Sequence, residues 1–359
     1  MSYSFPRPQP DFQRLRKVLL RQGEPDRLPF IELFADREVM EAIIGEPIPV
    51  RRPHERELNE IALSRTIRFY YETGYDYVTV GANLDMPRKR IGAADTAALP
   101  RDQRLWQDES DGVITSWQDF ETYPWPKPED IDFYPLEYAS RHLPDGMKII
   151  YIGPGGQLEN MMWLMGYMPM SYALQDDPAL VEAVAEKVGE LLLNMYAAAT
   201  QVPGVGAVWL GDDMGFKTAT MISPEHMRRY VFPWQKKLVT LVHARHLPFL
   251  LHSCGNLDAI MDDLINDVGI DAKHSFEDTI LPVAEAKKRY GERIAILGGV
   301  DVDVLCRCSE DEVRAYTRRV IEACAPGGGW ALGTGNSVAN YIPVRNYLAM
   351  LDEGRRFRY

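Results

Sequence analysis

A histidine and a cysteine two residues apart, His252 and Cys254 in the stretch LLHSCGN (250–256), form the pairing in this chain whose types and spacing could most readily do chemistry. Both follow an apolar run and precede a Gly-Asn turn, which is the pattern of a strand end opening into a loop. An imidazole and a thiolate side by side suit a metal, and an imidazole alone suits proton transfer. The competing reading is that Cys254 packs as a small hydrophobe beside a hydrogen-bonded histidine.

Further polar side chains stand at the ends of other apolar runs. Eight strand-like runs are readable, at 28–34, 75–83, 147–156, 205–213, 248–256, 269–278, 293–301 and 329–337. Their ends carry Glu32 and Asp36, Asn83, Gln157, Asp212 and Asp213, His252 and Cys254, His274 and Glu277, Asp301 and Asp303, and Thr334 and Asn336. Helix N-caps account for some of these acids, but not for two histidines and a cysteine. Helical patterns fill the intervals: Asp177-Pro178 and Ser223-Pro224 place a capping side chain before proline, and Ser309 with Glu312 reads as a capping box.

Eight strands alternating with helices predict an α/β chain, a (β/α)8 TIM barrel spanning 1–359 as one domain, with function gathered at the carboxyl ends of the strands. No G-x-G-x-x-G follows the first run, which weighs against a doubly wound nucleotide-binding sheet. Between the second and third strands, residues 104–130 break the alternation, and a Ser-Asp-Gly turn there predicts a β-hairpin insertion near the rim. The methionines Met161, Met162, Met165, Met168 and Met170 read as adaptable core.

Composition narrows the function classes. The 359 residues carry a formal net charge of -12, which disfavours nucleic acid and anionic membrane surfaces as partners. No apolar run approaches the roughly 20 residues that span a bilayer, and the first residues lack an apolar signal core, so a cytoplasmic protein is expected. The four cysteines do not suggest a disulfide framework.

Four stretches, GPGGQLENMMWLMGYMPMSYALQDDP, GDDMGFKTATMISPEHMRRYVFPWQKKLV, HSCGNLDAIMDDLI and ILGGVDVDVL, together resemble the uroporphyrinogen decarboxylase superfamily. That resemblance implies a (β/α)8 barrel and one of two activities: porphyrinogen decarboxylation or cobamide-dependent methyl transfer. The decarboxylases carry an Arg-Gln-Ala-Gly-Arg motif after the first strand and an essential Asp after the second. Here the first position reads IELFADRE, with only Arg37, and Asp85 is shifted from the usual context.

The thiol methyltransferases use a His-x-Cys pair and a distant cysteine on the eighth strand to hold zinc. His252 and Cys254 match the pair, whereas ALGTGNS offers no cysteine. A catalytic zinc ordinarily takes three protein ligands, so His274, Glu277 or Asp301 would have to complete the site. Imidazole or carboxylate in place of thiolate makes a harder Lewis acid, suited to the oxygen or nitrogen of a methyl donor.

The favoured expectation is therefore methyl transfer from a small O- or N-methylated molecule to a corrinoid on a partner protein. Its catalytic residues would be His252, Glu277 and Asp212, and its metal ligands His252, Cys254, His274 and Glu277. Glu32, Asn83, Gln157, Asp213, Asp301 and Asn336 would contact substrate. A metal-free decarboxylase holding an anionic substrate on Arg37 and Arg88 to Arg90, and a noncatalytic corrinoid- or ligand-binding module, stay open. The resemblance also implies a homodimer.

Overall fold

A computed structural model describes residues 7–359 apart from 53, 54, 85, 100, 102 and 109, so Asp85 lies outside the described residues. Seven parallel strands form one curled sheet. They are β1 (Tyr77–Val80), β4 (Lys148–Ile152), β5 (Val205–Gly211), β6 (Phe249–His252), β7 (Ala272–His274), β8 (Ala295–Leu297) and β9 (Trp330–Ala331), paired in that order. Their β-branched and aromatic residues are buried on both faces, which is why the strands read as near-continuous apolar runs. The anticipated caps are present: Asp177 accepts from the Leu180 N–H, Ser223 from the His226 N–H, and Ser309 and Glu312 cap each other. A π turn at Met227–Val231 precedes Pro233, which has no N–H to close an α-helical bond.

The expected first strand is attached differently from the rest. Its Ile31 N–H donates to the Leu332 carbonyl at 2.8 Å and its Asp36 N–H to the Val338 carbonyl at 2.8 Å, giving isolated parallel bridges at Phe30 and Ala35. Toward β1, the Tyr77 hydroxyl accepts from the Glu32 N–H at 2.6 Å and donates to the Glu32 carbonyl at 2.7 Å. A side chain thus spans the seam where a backbone ladder would close an eight-stranded cylinder. The ladder itself counts seven strands.

The insertion is a hairpin, but not the one the turn signal indicated. Strand β2 (Arg90–Ala93) pairs antiparallel with β3 (Arg104–Gln107), so the reversal lies before the Ser-Asp-Gly stretch. Gly112 instead packs against the backbone of Met165 and Gly166, where a Cβ would come within 2.1 Å. Trp117–Thr122 is a short helix capped by Ser116. Of the five methionines, Met161, Met162, Met165 and Met170 are core and Met168 is exposed.

Glu32 is wholly buried, and its carboxyl is met by the Thr334 N–H at 2.9 Å and the Thr334 hydroxyl at 2.6 Å. Burial raises its pKa from the ordinary 4.5 to about 8, against the pull of those two donors. Between those values the folded chain keeps a proton that the unfolded chain has released. The stability from this group is therefore full below pH 4.5 and is lost as pH rises through 8. We expect wild type to lose on the order of 3–5 kcal/mol between pH 5 and 9 through this group, and Glu32→Gln to lose far less. Denaturant midpoints at the two pH values test this; equal losses in both proteins would remove Glu32 as the cause.

Candidate functional site

The carboxyl ends of β5, β6 and β7 meet at one cluster. Alternation along the chain gives His252 and Cys254 the same side-chain direction. The loop after β5 supplies Asp213. Ligand atoms of Asp213, His252 and Cys254 lie within 4.8 Å of one another, and among the described residues this is the group that brings three potential metal-binding side chains together. His252 Nε2 is 3.4 Å from Cys254 Sγ and 3.6 Å from Asp213 Oδ1, while the Cys254 N–H donates to Asp213 Oδ1 at 2.8 Å.

Close packing of two loops sets this geometry. The Ser253 hydroxyl accepts from the Met214 N–H at 3.0 Å. Gly255 sits at φ 81°, and a Cβ there would come within 2.3 Å of the Gly215 backbone. The glycine of HSCGN is thus required by both conformation and space.

The histidine tautomers follow from their partners. His274 Nε2 lies 3.1 Å from the Thr334 carbonyl, which can only accept, so that nitrogen carries the proton. His274 Nδ1 then accepts from His252 Nδ1–H at 2.8 Å, which leaves the lone pair of His252 Nε2 facing Asp213 and Cys254. Burial keeps both rings neutral: it lowers the His252 pKa to about 3, with the Lys273 cation adding to the effect, and takes His274 well below the usual range.

Around the sulfur, Asn336 Nδ2 donates at 3.1 Å and the Ser275 hydroxyl at 3.5 Å. Burial, then the Asp213 charge, pushes the Cys254 thiol up, so without a bound cation the sulfur holds its proton. Two donors aimed at the sulfur favour the thiolate once a cation is present.

The other residues anticipated from the sequence separate clearly. His274 is no ligand candidate, because both its nitrogens are taken; it orients His252 from behind. Glu277 does not join the cluster. Its carbonyl accepts from the Ile280 and Leu281 N–H groups, and its side chain lines a separate cavity of about 80 Å³ with Lys273 and Ser275.

Asp301 caps the helix Val302–Arg307, accepting from the Asp303 and Val304 N–H groups, and its other oxygen takes the Asp278 N–H. Asp212 is wholly buried and holds the start of the helix Gln157–Met165 through the Gln157 and Glu159 N–H groups, with the Gln235 amide as a third donor. Those contacts give it a structural task in place of the catalytic one expected. Gln157 is buried and donates to the Ala185 carbonyl at 2.7 Å, and Asn83 pairs with Asp132, so neither reaches the cluster. Glu32 is committed to Thr334, which leaves Asp213 and Asn336 as the expected substrate contacts that touch the cluster.

Two residues went unmarked in the sequence. Glu159 has its pKa raised well above the carboxylate range by burial and by Asp213 and Asp212, while its carboxylate accepts from the Gly156 N–H at 3.3 Å. Lys273 is buried on β7, its ammonium bonded to the Ser275 carbonyl and 4.2 Å above the Phe276 ring, with its pKa lowered to about 8 by burial. A lysine amid the apolar strand run GIDAKHSF was the available signal for the second. Glu159 gave none beyond following a glycine turn.

A family model described as uroporphyrinogen decarboxylase (URO-D) matches residues 113–357. Among curated proteins, the chain is similar to the uroporphyrinogen decarboxylase of Thioalkalivibrio sulfidiphilus, 29% identical over 188 residues that are 50% of each chain. It is also similar to the methylcobamide:CoM methyltransferase MtbA of Methanosarcina mazei, 27% identical over 146 residues that are 39% of each chain. The chain spans about half the length of the curated decarboxylases it matches. Among solved structures, a methyltransferase from Methanosarcina mazei superposes with a TM-score of 0.72 at 17% identity, over 95% of this chain and 97% of that one, and so shares its fold.

Proposed function

The chain belongs to the uroporphyrinogen decarboxylase (URO-D) family, and on that premise we propose that it is a zinc-assisted methyltransferase, moving a methyl group from a small O- or N-methylated donor to a corrinoid on a partner protein. The observation that carries this reading is the mixed cluster of one imidazole nitrogen, one sulfur and one carboxylate oxygen within 4.8 Å. Three protein ligands of these types fit a catalytic zinc with an open position. Asp213, and not a second cysteine, His274 or Glu277, completes the set. We take residues 1–359 as one (β/α)8-type domain with a cytoplasmic setting and a homodimeric assembly.

Zinc held by Asp213, His252 and Cys254 would supply Lewis acidity toward the oxygen or nitrogen that bears the methyl group. The chain's own groups prepare that position. Asn336 and Ser275 would favour the Cys254 thiolate once the ion is bound, and the Thr334 carbonyl, through His274, keeps the lone pair on His252 Nε2. Glu159, whose carboxyl is kept protonated by desolvation and by the Asp213 and Asp212 charges, would supply the proton that the demethylated oxygen or nitrogen needs. The arginines on which a decarboxylase reading would rely are largely engaged: Arg37 pairs with Glu38, and Arg88 lies 4.0 Å over the Trp163 ring.

The test is to incubate the zinc-loaded protein with cob(I)alamin and panels of methyl ethers and methylamines, and to follow methylcobalamin by its absorbance. Methylation that depends on His252 supports the proposal. Zinc-independent decarboxylation of uroporphyrinogen, with no methyl transfer to cobalamin, would sink it.

A further inference from the structure

A cleft of about 790 Å³ opens at the carboxyl ends of β1 and β4 and along the bridged segment before them. Its size is that of a small-molecule site. The walls are chiefly apolar, with Leu33, Met40, Ile48, Leu63, Leu105 and Ile152 among them. Three arginines reach it. Arg101 is bound by Asp36 and Glu38, and Arg37 by Glu38 and Glu41. Arg51, partly desolvated, feels the Asp132 carboxylate but has no direct ion pair with it among the described residues.

An apolar cleft with one guanidinium left without a direct ion pair asks for a ligand with a hydrophobic body and a single carboxylate, because the fork of an arginine matches a carboxylate and the walls match rings or chains. The wall at Ile152 to Pro154 runs directly into the glycine turn and Glu159, whose carboxyl feels Asp213. We propose that this cleft is the donor-binding site and that it takes an aromatic or otherwise apolar carboxylate, anchored at Arg51, with its methylated heteroatom toward Asp213. The identity of the reacting end rests on the methyltransferase reading; the anion and its anchor do not.

Calorimetric titration with 4-methoxybenzoate and its neutral counterpart 4-methoxybenzamide tests the site without any turnover. Wild type is expected to bind the acid at least about 10-fold more tightly than the amide, and Arg51→Gln to abolish that preference. Leu105 is exposed on the hairpin, so Leu105→Glu leaves folding intact while placing a negative charge on the wall. It is expected to weaken the acid more than the amide. Equal affinities in wild type, a preference that survives Arg51→Gln, or no binding of either compound would overturn the assignment. An acid preference without methyl transfer would discard the reaction and keep the site, whereas transfer from neutral donors alone would do the reverse.

Discussion

Cys254→Ser and His252→Ala are expected to strip the protein of zinc, lowering its affinity by more than roughly 100-fold, whereas His274→Phe lowers it by only about 10–100-fold. The ranking follows from position. His252 and Cys254 each contribute an atom to the cluster, and removing one leaves two ligands, too few for a stable site. His274 contributes no atom, but its Nδ1 accepts the proton that fixes the His252 tautomer, and a phenyl ring keeps the edge-on packing against Trp209 at 5.4 Å while losing that acceptor. Elemental analysis of the purified variants, followed by competition against a chromogenic chelator, reads both tiers. Wild-type metal content in Cys254→Ser, or an unaltered affinity in His274→Phe, would contradict the arrangement described above.

Gly298→Ala should produce a large loss of stability from a single added methyl group. Gly298 sits at φ 68°, where a Cβ would lie 2.2 Å from the Thr334 carbonyl oxygen and 2.9 Å from His274 Nε2. Neither neighbour can yield cheaply: one is backbone, and the other is a ring held at both nitrogens. Backbone strain and the forced parting of the His274–Thr334 bond together are expected to cost at least about 3 kcal/mol. Urea unfolding gives the magnitude, and zinc affinity of the folded fraction should fall with it, since the proton that sets His252 is then unpinned. A loss below about 1 kcal/mol would mean that the loop after β8 relaxes freely.

The sequence made the His-x-Cys pair legible because its residue types are uncommon and a strand end precedes it. The third member of the cluster was not legible as a ligand. Asp212 and Asp213 are adjacent, and only their opposite directions along the chain separate a helix-holding carboxylate from one that meets the sulfur. What brings Asp213 to Cys254 is the contact of Gly215 with Gly255, a tertiary event that no local pattern announces. His274 had the right type but the wrong role, since its role depends on Thr334, 60 residues away. The strand runs were readable from composition. The hairpin was displaced because a Ser-Asp-Gly turn signal marks a bend equally well, and the first strand lacks a full ladder because Tyr77 fills its place.

That tyrosine divides the molecule mechanically. The cluster stands on strands locked to each other by continuous backbone pairing, where a shift of one residue would reverse every side chain. Residues 28–51 are tied to β1 through a phenol, to the far edge through isolated bridges and to Thr334 through Glu32, so outside Glu32 their sequence can change without altering any strand register. On the proposed reading, substitutions on that flank would change which donor fits while leaving the strand register beneath the cluster as it is.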